Sequence, residues 1–310
     1  MKGKKLLLVD GHGLAFRAFY ALPELTAPDG TPTNAVVGFF NMFQKVREDW
    51  KPDLCGVVFD APGPTFRHEA YEDYKAGRKP TPPEFKVQVP LISELLALMG
   101  IPVVMRQGVE ADDVLASVAC TAARERLETL ILSSDKDILQ ILGPGLSVLR
   151  PGKGITSFKL VDERSFVEEY GFPPSAMTDY LALLGDAADN VPGVPGVGEK
   201  TAKALLAEYG SLDGIYGRLE SLKPGLRKKF EENREQAYRS RDLVVLLCET
   251  KENLGNFLPG EADREGFLER CKSLGLQKIA LKMVPGGERV QVRTLSTDPV
   301  PQGRKSERDT

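Results

Sequence analysis

Nine acidic side chains in five short clusters define the chemistry open to this sequence: Asp10 in LLLVD, Asp60 in GVVFD, Glu110, Asp112 and Asp113 in GVEADDV, Asp135 and Asp137 in SSDKD, and Asp186 and Asp189 in GDAADN. Each cluster alone is ordinary. A single Asp after a strand caps a helix, EADD reads as a solvated first helical turn, and SSDKD and GDAADN read as turns with Asx geometry. Their joint occurrence is another matter. Gathered at one place without cationic partners, they would repel one another severely. Hard divalent cations resolve that repulsion, because Mg²⁺ and Mn²⁺ prefer oxygen ligands and Mg²⁺ keeps several waters. Two such ions about 3.5–4 Å apart suit phosphodiester hydrolysis, one activating a water and the other steadying the leaving oxygen.

Two further segments carry chemistry. Residues 191–202, VPGVPGVGEKTA, read as a tight glycine hairpin running into a helix over 201–209. Gly193, Gly196 and Gly198 let a duplex backbone approach main-chain amides. The following helix start offers oriented N–H groups to phosphate, and Lys200, Thr201 and Lys203 lie there. Hairpins of this kind bind duplex non-specifically, sometimes with a monovalent cation such as K⁺ held by carbonyls. The rival readings are a plain turn and a Walker loop. The second fails, because Gly198 is followed by Glu199 and no strand precedes it. Residues 61–90 hold six prolines, five Lys/Arg (Arg67, Lys75, Arg78, Lys79, Lys86) and four aromatics (Phe66, Tyr71, Tyr74, Phe85). Such a long excursion, partly helical in its middle and mixing basic with aromatic residues, reads as functional.

The elements that would position these groups follow from the apolar pattern. Short runs at 6–9, 55–59, 103–105, 130–132 and 146–149, separated by helical stretches at 36–46, 89–98 and 114–123, read as βαβ units with a mostly parallel sheet. Asp10, Asp60 and Asp135 then stand at or near strand ends, where such sheets place their sites. After Phe172 the pattern is helical, over 177–184, 201–209, 222–240 and 265–274. The expected organisation is an α/β core over 1–171, with 61–90 as an insertion, an α-helical lobe over 172–284 and a disordered tail over 285–310.

Composition sets the outer limits. The 310 residues are 42% hydrophobic and 27% charged, with no apolar run of transmembrane length. The four-residue apolar run before Asp10 is too short for a signal peptide. Four cysteines without a C-x-x-C pair argue against a disulfide scaffold or a zinc site and fit a reducing cytoplasm. The formal net charge of −3 does not suggest a nucleic-acid binder, but setting the nine clustered acids aside from the 44 leaves 35 against 41 basic residues.

The motifs VDGHGLAFRAFYALP, VVFDAPGPTFRHEAYEDYKAGR, GVEADDV, SSDKD and GDAADNVPGVPGVGEKTA together resemble the 5′-nuclease domain of bacterial DNA polymerase I, within the flap endonuclease superfamily, over about residues 4–284. The resemblance implies an α/β core with a helical arch or clamp at 61–90 and a helical lobe carrying a helix-hairpin-helix (helix-3-turn-helix) motif. It implies a structure-specific 5′-flap endonuclease and 5′→3′ exonuclease serving replication and repair. It assigns Asp10, Asp60, Glu110 and Asp112 to a first divalent ion, Asp135, Asp137, Asp186 and Asp189 to a second, and Asp113 to a position shared between them, with two or three Mg²⁺ or Mn²⁺ ions in all. Tyr74, Lys75 and Arg78 match arch residues that approach the scissile phosphate, and Arg17 a basic position that steers the flap. Tyr74 either stacks a frayed base or packs inside the arch. The implied partners are DNA with a 5′ flap, nick or 5′ overhang and, secondarily, RNA–DNA hybrid, bound by a monomer. His12 departs from the small polar residue usual after the first DG. The sequence contains no proofreading or polymerase domain, and its tail lacks a sliding-clamp motif.

Other classes fit less well. Small acidic-site ribonucleases lack the glycine hairpin, a DNA-binding module with a dead site would have lost some of the nine acids, and an aspartyl phosphatase would need D-x-D where Asp10-Gly11-His12 stands.

Overall fold

The computed structural model describes residues 3–248 and 253–283. The tail expected to be disordered, 285–310, lies outside the described residues. In chain order the elements are β1 (Lys5–Asp10), α1 (Gly11–Ala21), α2 (Asn34–Trp50), β2 (Leu54–Thr65), α3 (Phe66–Ala70), α4 (Pro83–Lys86), α5 (Gln88–Leu98), β3 (Val103–Gly108), α6 (Ala111–Arg124), β4 (Glu128–Leu132), β5 (Leu146–Pro151) and β6 (Phe158–Val161). The helices α7 (Glu163–Tyr170), α8 (Met177–Leu184), α9 (Glu199–Tyr209), α10 (Leu212–Tyr216), α11 (Pro224–Glu232), α12 (Arg234–Val244), α13 (Arg264–Ser273) and α14 (Gln277–Met283) follow.

Among the described residues the strands form a six-stranded sheet in the order β3-β2-β1-β4-β5-β6. All neighbours are parallel except β5 and β6. The apolar runs are continuous because both faces are covered. In β1, Leu6 and Leu8 enter the core shared with α6 and the helical lobe, while Leu7 and Val9 enter the core shared with α1, α2 and α5. The chain leaves β1 in one direction for β2 and β3 and later returns on its other side for β4. The strand order therefore reverses beside the carboxyl end of β1, where open α/β sheets bind their ligands.

The structure departs from the sequence expectations at several places, each with a local cause. The excursion expected over 61–90 begins only after Thr65, because 61–65 finish β2; α3 follows at once, turns fill 72–77, and α4 and the start of α5 close the segment. Prolines 80, 82 and 83 end the turn region and open α4. The helix expected over 222–240 breaks at Asn233, whose side-chain amide donates to the Lys229 carbonyl at 2.8 Å and so caps α11. The short antiparallel β6 at the sheet edge carried no clear pattern. Helices α13 and α14, assigned with the lobe, pack back on α5 and α2 of the core and place Phe267, Cys271 and Met283 there. Cys120 and Cys248 are joined as a disulfide across a sequence separation of 128, with Cα atoms 5.8 Å apart. Cysteine spacing could not foresee it, because only the fold lays the chain after α12 along α6.

Phe257 is fully buried against Gly56 of β2, where a Cβ would overlap its ring. Phe257→Ala is expected to lower the unfolding free energy by about 3–5 kcal/mol, the usual loss for a buried aromatic. Urea denaturation measures this, and a loss below 1 kcal/mol, against that scale, would show that the ring does not brace the sheet.

Candidate active site

Asp10 is the last residue of β1 and the N-cap of α1. Its Oδ1 accepts from the Gly13 amide at 2.8 Å and its Oδ2 from the Ser133 hydroxyl at 2.9 Å. Ser133 follows β4, so this bond joins the two strands at the reversal point. Burial, reinforced by Asp60 and Asp135, pushes the Asp10 carboxyl up to about 6. Asp60 stands in β2, and its Oδ1 accepts from the Ala111 amide at the head of α6 at 2.9 Å. His12 Nδ1 lies 3.1 Å from the Asp60 amide nitrogen and 3.2 Å from its carboxylate. Burial alone would raise the Asp60 carboxyl, but His12 and the Ala111 amide outweigh it and hold it at about 2. The departure at His12 thus bears directly on an expected metal ligand.

Glu110 caps α6, which places Asp112 and Asp113 in the first turn. Asp112 is pushed well above the usual carboxylate range, by burial first and then by Asp135, Asp10, Asp60 and Asp137. Asp135 and Asp137 follow β4, where Asp135 Oδ1 accepts from the Asp137 amide at 2.8 Å. Asp137 is likewise raised by burial and by Asp135, and its Oδ1 is buried without a hydrogen-bond partner. Asp186 and Asp189 come from the loop after α8. Lys136 lies 3.1 Å from Asp186, and burial of that carboxyl is outweighed by Lys136 and the Ala188 amide, which lower it.

The arch closes over these acids. Lys75 contacts Glu110, Arg78 contacts Asp189, and the Tyr74 hydroxyl lies 3.2 Å from both Glu110 Oε2 and Asp189 Oδ2. Lys75 adopts φ +59°, in the left-handed region, and its amide donates to the Asp189 carbonyl at 2.9 Å. Between the two acid groups lies a small space of about 30 Å³, lined by Glu110, Asp112, Asp135, Asp137, Asp186 and Asp189. A larger cleft of about 590 Å³ opens beside it over Asp10, Asp60, Asp112 and Asp135.

Eight of the nine expected carboxylates therefore reach one site. Asp113 does not present itself to an ion, because its two oxygens accept from Arg67 at 2.6 and 2.8 Å and from the Glu110 and Leu247 amides, each at 3.1 Å. Those four donors fill a carboxylate's acceptor sites. Tyr74 is 5% exposed, with its ring edge-on to His68. The packing reading holds in this state, and its face is not open to a base. Arg17 lines the larger cleft, and its Nη2 donates to the Gly152 and Gly154 carbonyls between β5 and β6.

The donor set suits divalent ions. It is all oxygen, burial and like neighbours disfavour the ionised form of Asp112 and Asp137 unless a cation is present, and Asp137 Oδ1 is an orphan. Among the described residues no three of these side chains stand at common ligand distance in their present positions. Waters would complete the coordination, as Mg²⁺ prefers.

The glycine hairpin grows out of the same loop. Asp186 and Val191 exchange both backbone hydrogen bonds at 2.8 Å. A Cβ on Gly193 would overlap the backbone of Leu184 and Gly185, which fixes glycine there. Gly198 caps α9 and Lys200 is exposed in its first turn, whereas Lys203 pairs with Glu199 at 2.9 Å and covers the Tyr170 ring. The Gly193 carbonyl accepts from Gln236 at 2.6 Å, that of Pro192 from Ser240 and that of Gly196 from Lys229 at 3.5 Å, and those of Val191, Val194 and Gly198 accept backbone amides, so most of the hairpin carbonyls available to a monovalent cation already have partners. Sequence reasoning passed over Lys136, Ser133 and the role of Arg67, which was noted only as one of five cations in the arch segment.

The family model for the 5′-3′ exonuclease N-terminal resolvase-like domain matches residues 5–171, and that for the 5′-3′ exonuclease C-terminal SAM fold matches residues 172–264. The chain belongs to the 5′-3′ exonuclease family. Relatives include DNA polymerase I of Bacillus caldotenax, 38% identical over 283 residues (90% of this chain, 32% of that protein). The thermostable DNA polymerase I of Thermus aquaticus is 44% identical over 272 residues (86% of this chain, 32% of that protein). The chain thus spans about a third of the length of these relatives. The fold is shared with the T5 D15 protein co-crystallised with metal ions, at TM-score 0.64 and 21% identity over 90% of this chain and 98% of that one. It is also shared with the catalytic core of Rad2 in complex with DNA substrate, at TM-score 0.60 and 17% identity over 91% and 93% of the two chains. Among the described residues no helix of this 5′-3′ exonuclease family member is long and apolar enough to cross a membrane.

The raised carboxyls set the pH dependence of this site. Asp10 is protonated below about 6 in the folded chain, against 3.8 ordinarily, so the metal-free protein gains stability as the pH falls through that window. Ions must displace those protons, and their stabilisation is expected to fade as the pH falls through about 6. Melting temperatures with and without Mn²⁺, from about pH 8 to about pH 5, measure this. An Mn²⁺ effect that is flat across the range contradicts the assignment.

Proposed function

We propose that this chain is a structure-specific, divalent-metal-dependent 5′ nuclease that cuts DNA at 5′ flaps, nicks and 5′ overhangs. It acts as a flap endonuclease and 5′→3′ exonuclease, with RNA–DNA hybrid as a secondary substrate, in the cytoplasm and as a monomer. The observation that carries the reading is the convergence of eight carboxylates under an arch that carries Lys75 and Arg78, beside a glycine hairpin built for a duplex. Asp10, Asp60, Glu110 and Asp112 would hold a first Mg²⁺ or Mn²⁺, and Asp135, Asp137, Asp186 and Asp189 a second. Bound ions would supply a polarised water and charge neutralisation at the phosphate.

The chain's own residues do the rest. Exposed amides around Gly196 and Gly198, with Lys200 and Thr201, grip the backbone of the duplex and set its register without reading bases. Lys75 and Arg78 neutralise Glu110 and Asp189 in this state. Once those acids are otherwise compensated, the two cations are free to face a phosphate, where they stabilise charge on its oxygens in the transition state. A K⁺ ion at the hairpin would draw on the remaining carbonyls.

Two measurements test this. Asp112→Asn is expected to reduce single-turnover cleavage of a labelled 5′-flap duplex by more than 10²-fold while flap binding persists, since a transition-state contributor is lost. Cleavage at the parental rate overturns the metal assignment. Lys75→Ala and Arg78→Ala are each expected to lower the single-turnover rate by about 10-fold or more, with a smaller change in affinity. Equal losses in both would mean that the arch cations only tether DNA.

A further inference from the structure

Arg67 sits in the first turn of α3, at the foot of the arch, and is 2% exposed. Each of its three nitrogens donates at least one hydrogen bond. Nε donates to the Leu243 carbonyl at 2.7 Å, and Nη1 to Asp113 Oδ2 at 2.6 Å while also lying 3.5 Å from Glu110 Oε2. Nη2 donates to Asp113 Oδ1 and to the Val245 carbonyl, both at 2.8 Å. Asp113 is 0% exposed and, among the described residues, accepts besides Arg67 the amides of Glu110 and Leu247. One bidentate pair therefore fastens three stretches far apart in sequence: the arch foot, the head of α6 that carries Glu110 and Asp112, and the chain leaving α12.

The seam continues along α6. Ser117 donates to the Leu247 carbonyl at 2.6 Å, and Cys120 is joined to Cys248. Residues 110, 113, 117 and 120 share one helical face. Gln140, in the turn that also holds Asp137, donates to the Val244 carbonyl at 3.0 Å and accepts from the Leu246 amide at 2.9 Å. The segment 243–248 thus runs beneath both acid groups and is bonded to the elements that carry them. A buried ion pair gives little net stability over apolar residues of the same volume, so stability is a weak reason for placing one here. Placement of the neighbouring acids is a stronger one.

We infer that Arg67 and Asp113 are positioning residues of the nuclease reaction, Asp113 serving Arg67 and two backbone amides instead of a metal ion, and the pair setting where Glu110 and the arch stand relative to the other carboxylates. This rests on the 5′-nuclease reading above. Residues that orient metal ligands typically change metal affinity or activity by 10–100-fold when replaced.

The test uses Arg67→Lys, which keeps the charge and loses the planar fork, Asp113→Asn, and an Arg67→Met/Asp113→Leu double variant that fills the same space without charge. Mn²⁺ binding without DNA is followed by calorimetry, single-turnover flap cleavage against Mg²⁺ concentration, and flap affinity in Ca²⁺. Both single variants are expected to bind the parental number of Mn²⁺ ions about 10-fold more weakly and to need more Mg²⁺ for cleavage. Flap affinity in Ca²⁺ should stay within about threefold. The double variant also takes partners from the Glu110 and Leu247 amides and the Leu243 and Val245 carbonyls, so it is expected to melt at a lower temperature than the parent; at a temperature where it is fully folded it is expected to be at least about 10-fold slower, and that rate decides the matter if a single variant fails to fold. Loss of one Mn²⁺ equivalent in Asp113→Asn makes Asp113 a ligand and overturns the proposal. So does a double variant that cleaves like the parent, or single variants with unchanged Mg²⁺ dependence. If the parent cuts no DNA, the nuclease reading fails, while the Mn²⁺ affinities still report on the pair.

Discussion

Carboxylates gathered at the open ends of parallel strands repel one another by about 4 kcal/mol per close pair in a partly screened setting, and the structure meets that repulsion at every step. Asp10 and Asp60 shed part of it through amides at helix starts. Glu110, Asp186 and Asp189 meet Lys75, Lys136 and Arg78. Asp112 and Asp137 remain in a field of like charge. This gradation, from compensated to frustrated, separates the acids that the fold can satisfy by itself from those that call for an ion.

One loop carries both the last pair of acids and the glycine hairpin. Asp186 and Asp189 belong to a turn closed by the Asp186–Val191 bridge, and the glycine hairpin continues directly from it. Gly185 and Gly193 lie backbone to backbone, which leaves little play between the acids and the hairpin amides. On the proposed nuclease reading, a duplex seated on the hairpin would stand at a fixed offset from the cleft, and geometry of this kind lets an enzyme measure a cutting position without reading sequence.

Much of this was legible in the residues. The strands at 6–9, 55–59 and 130–132 announced themselves because burial on both faces leaves no polar alternation, and their terminal acids followed from sheet topology. Helix α8 over 177–184 stood out by its apolar spacing. What stayed hidden depended on tertiary partners. Asp113 looks like its neighbours in GVEADDV, and only the arrival of Arg67 and the Leu247 amide separates it from them. Tyr74 reads equally as a stacking platform or a packed ring until its hydroxyl is seen between Glu110 and Asp189. The pairing of Cys120 with Cys248 depends on a chain path that no spacing rule encodes.

Helices α13 and α14 lean on α5 and α2, and with them Phe267, Leu274 and Ile279 seal the side of the sheet remote from the lobe. The family signature stops at residue 264, where α13 begins. A fragment trimmed to that signature would keep every acid and the whole hairpin, yet it would bare the oily flank of Ile92, Leu95 and Phe43 to water. The smallest piece able to stand alone is thus longer than the piece that performs the recognisable chemistry.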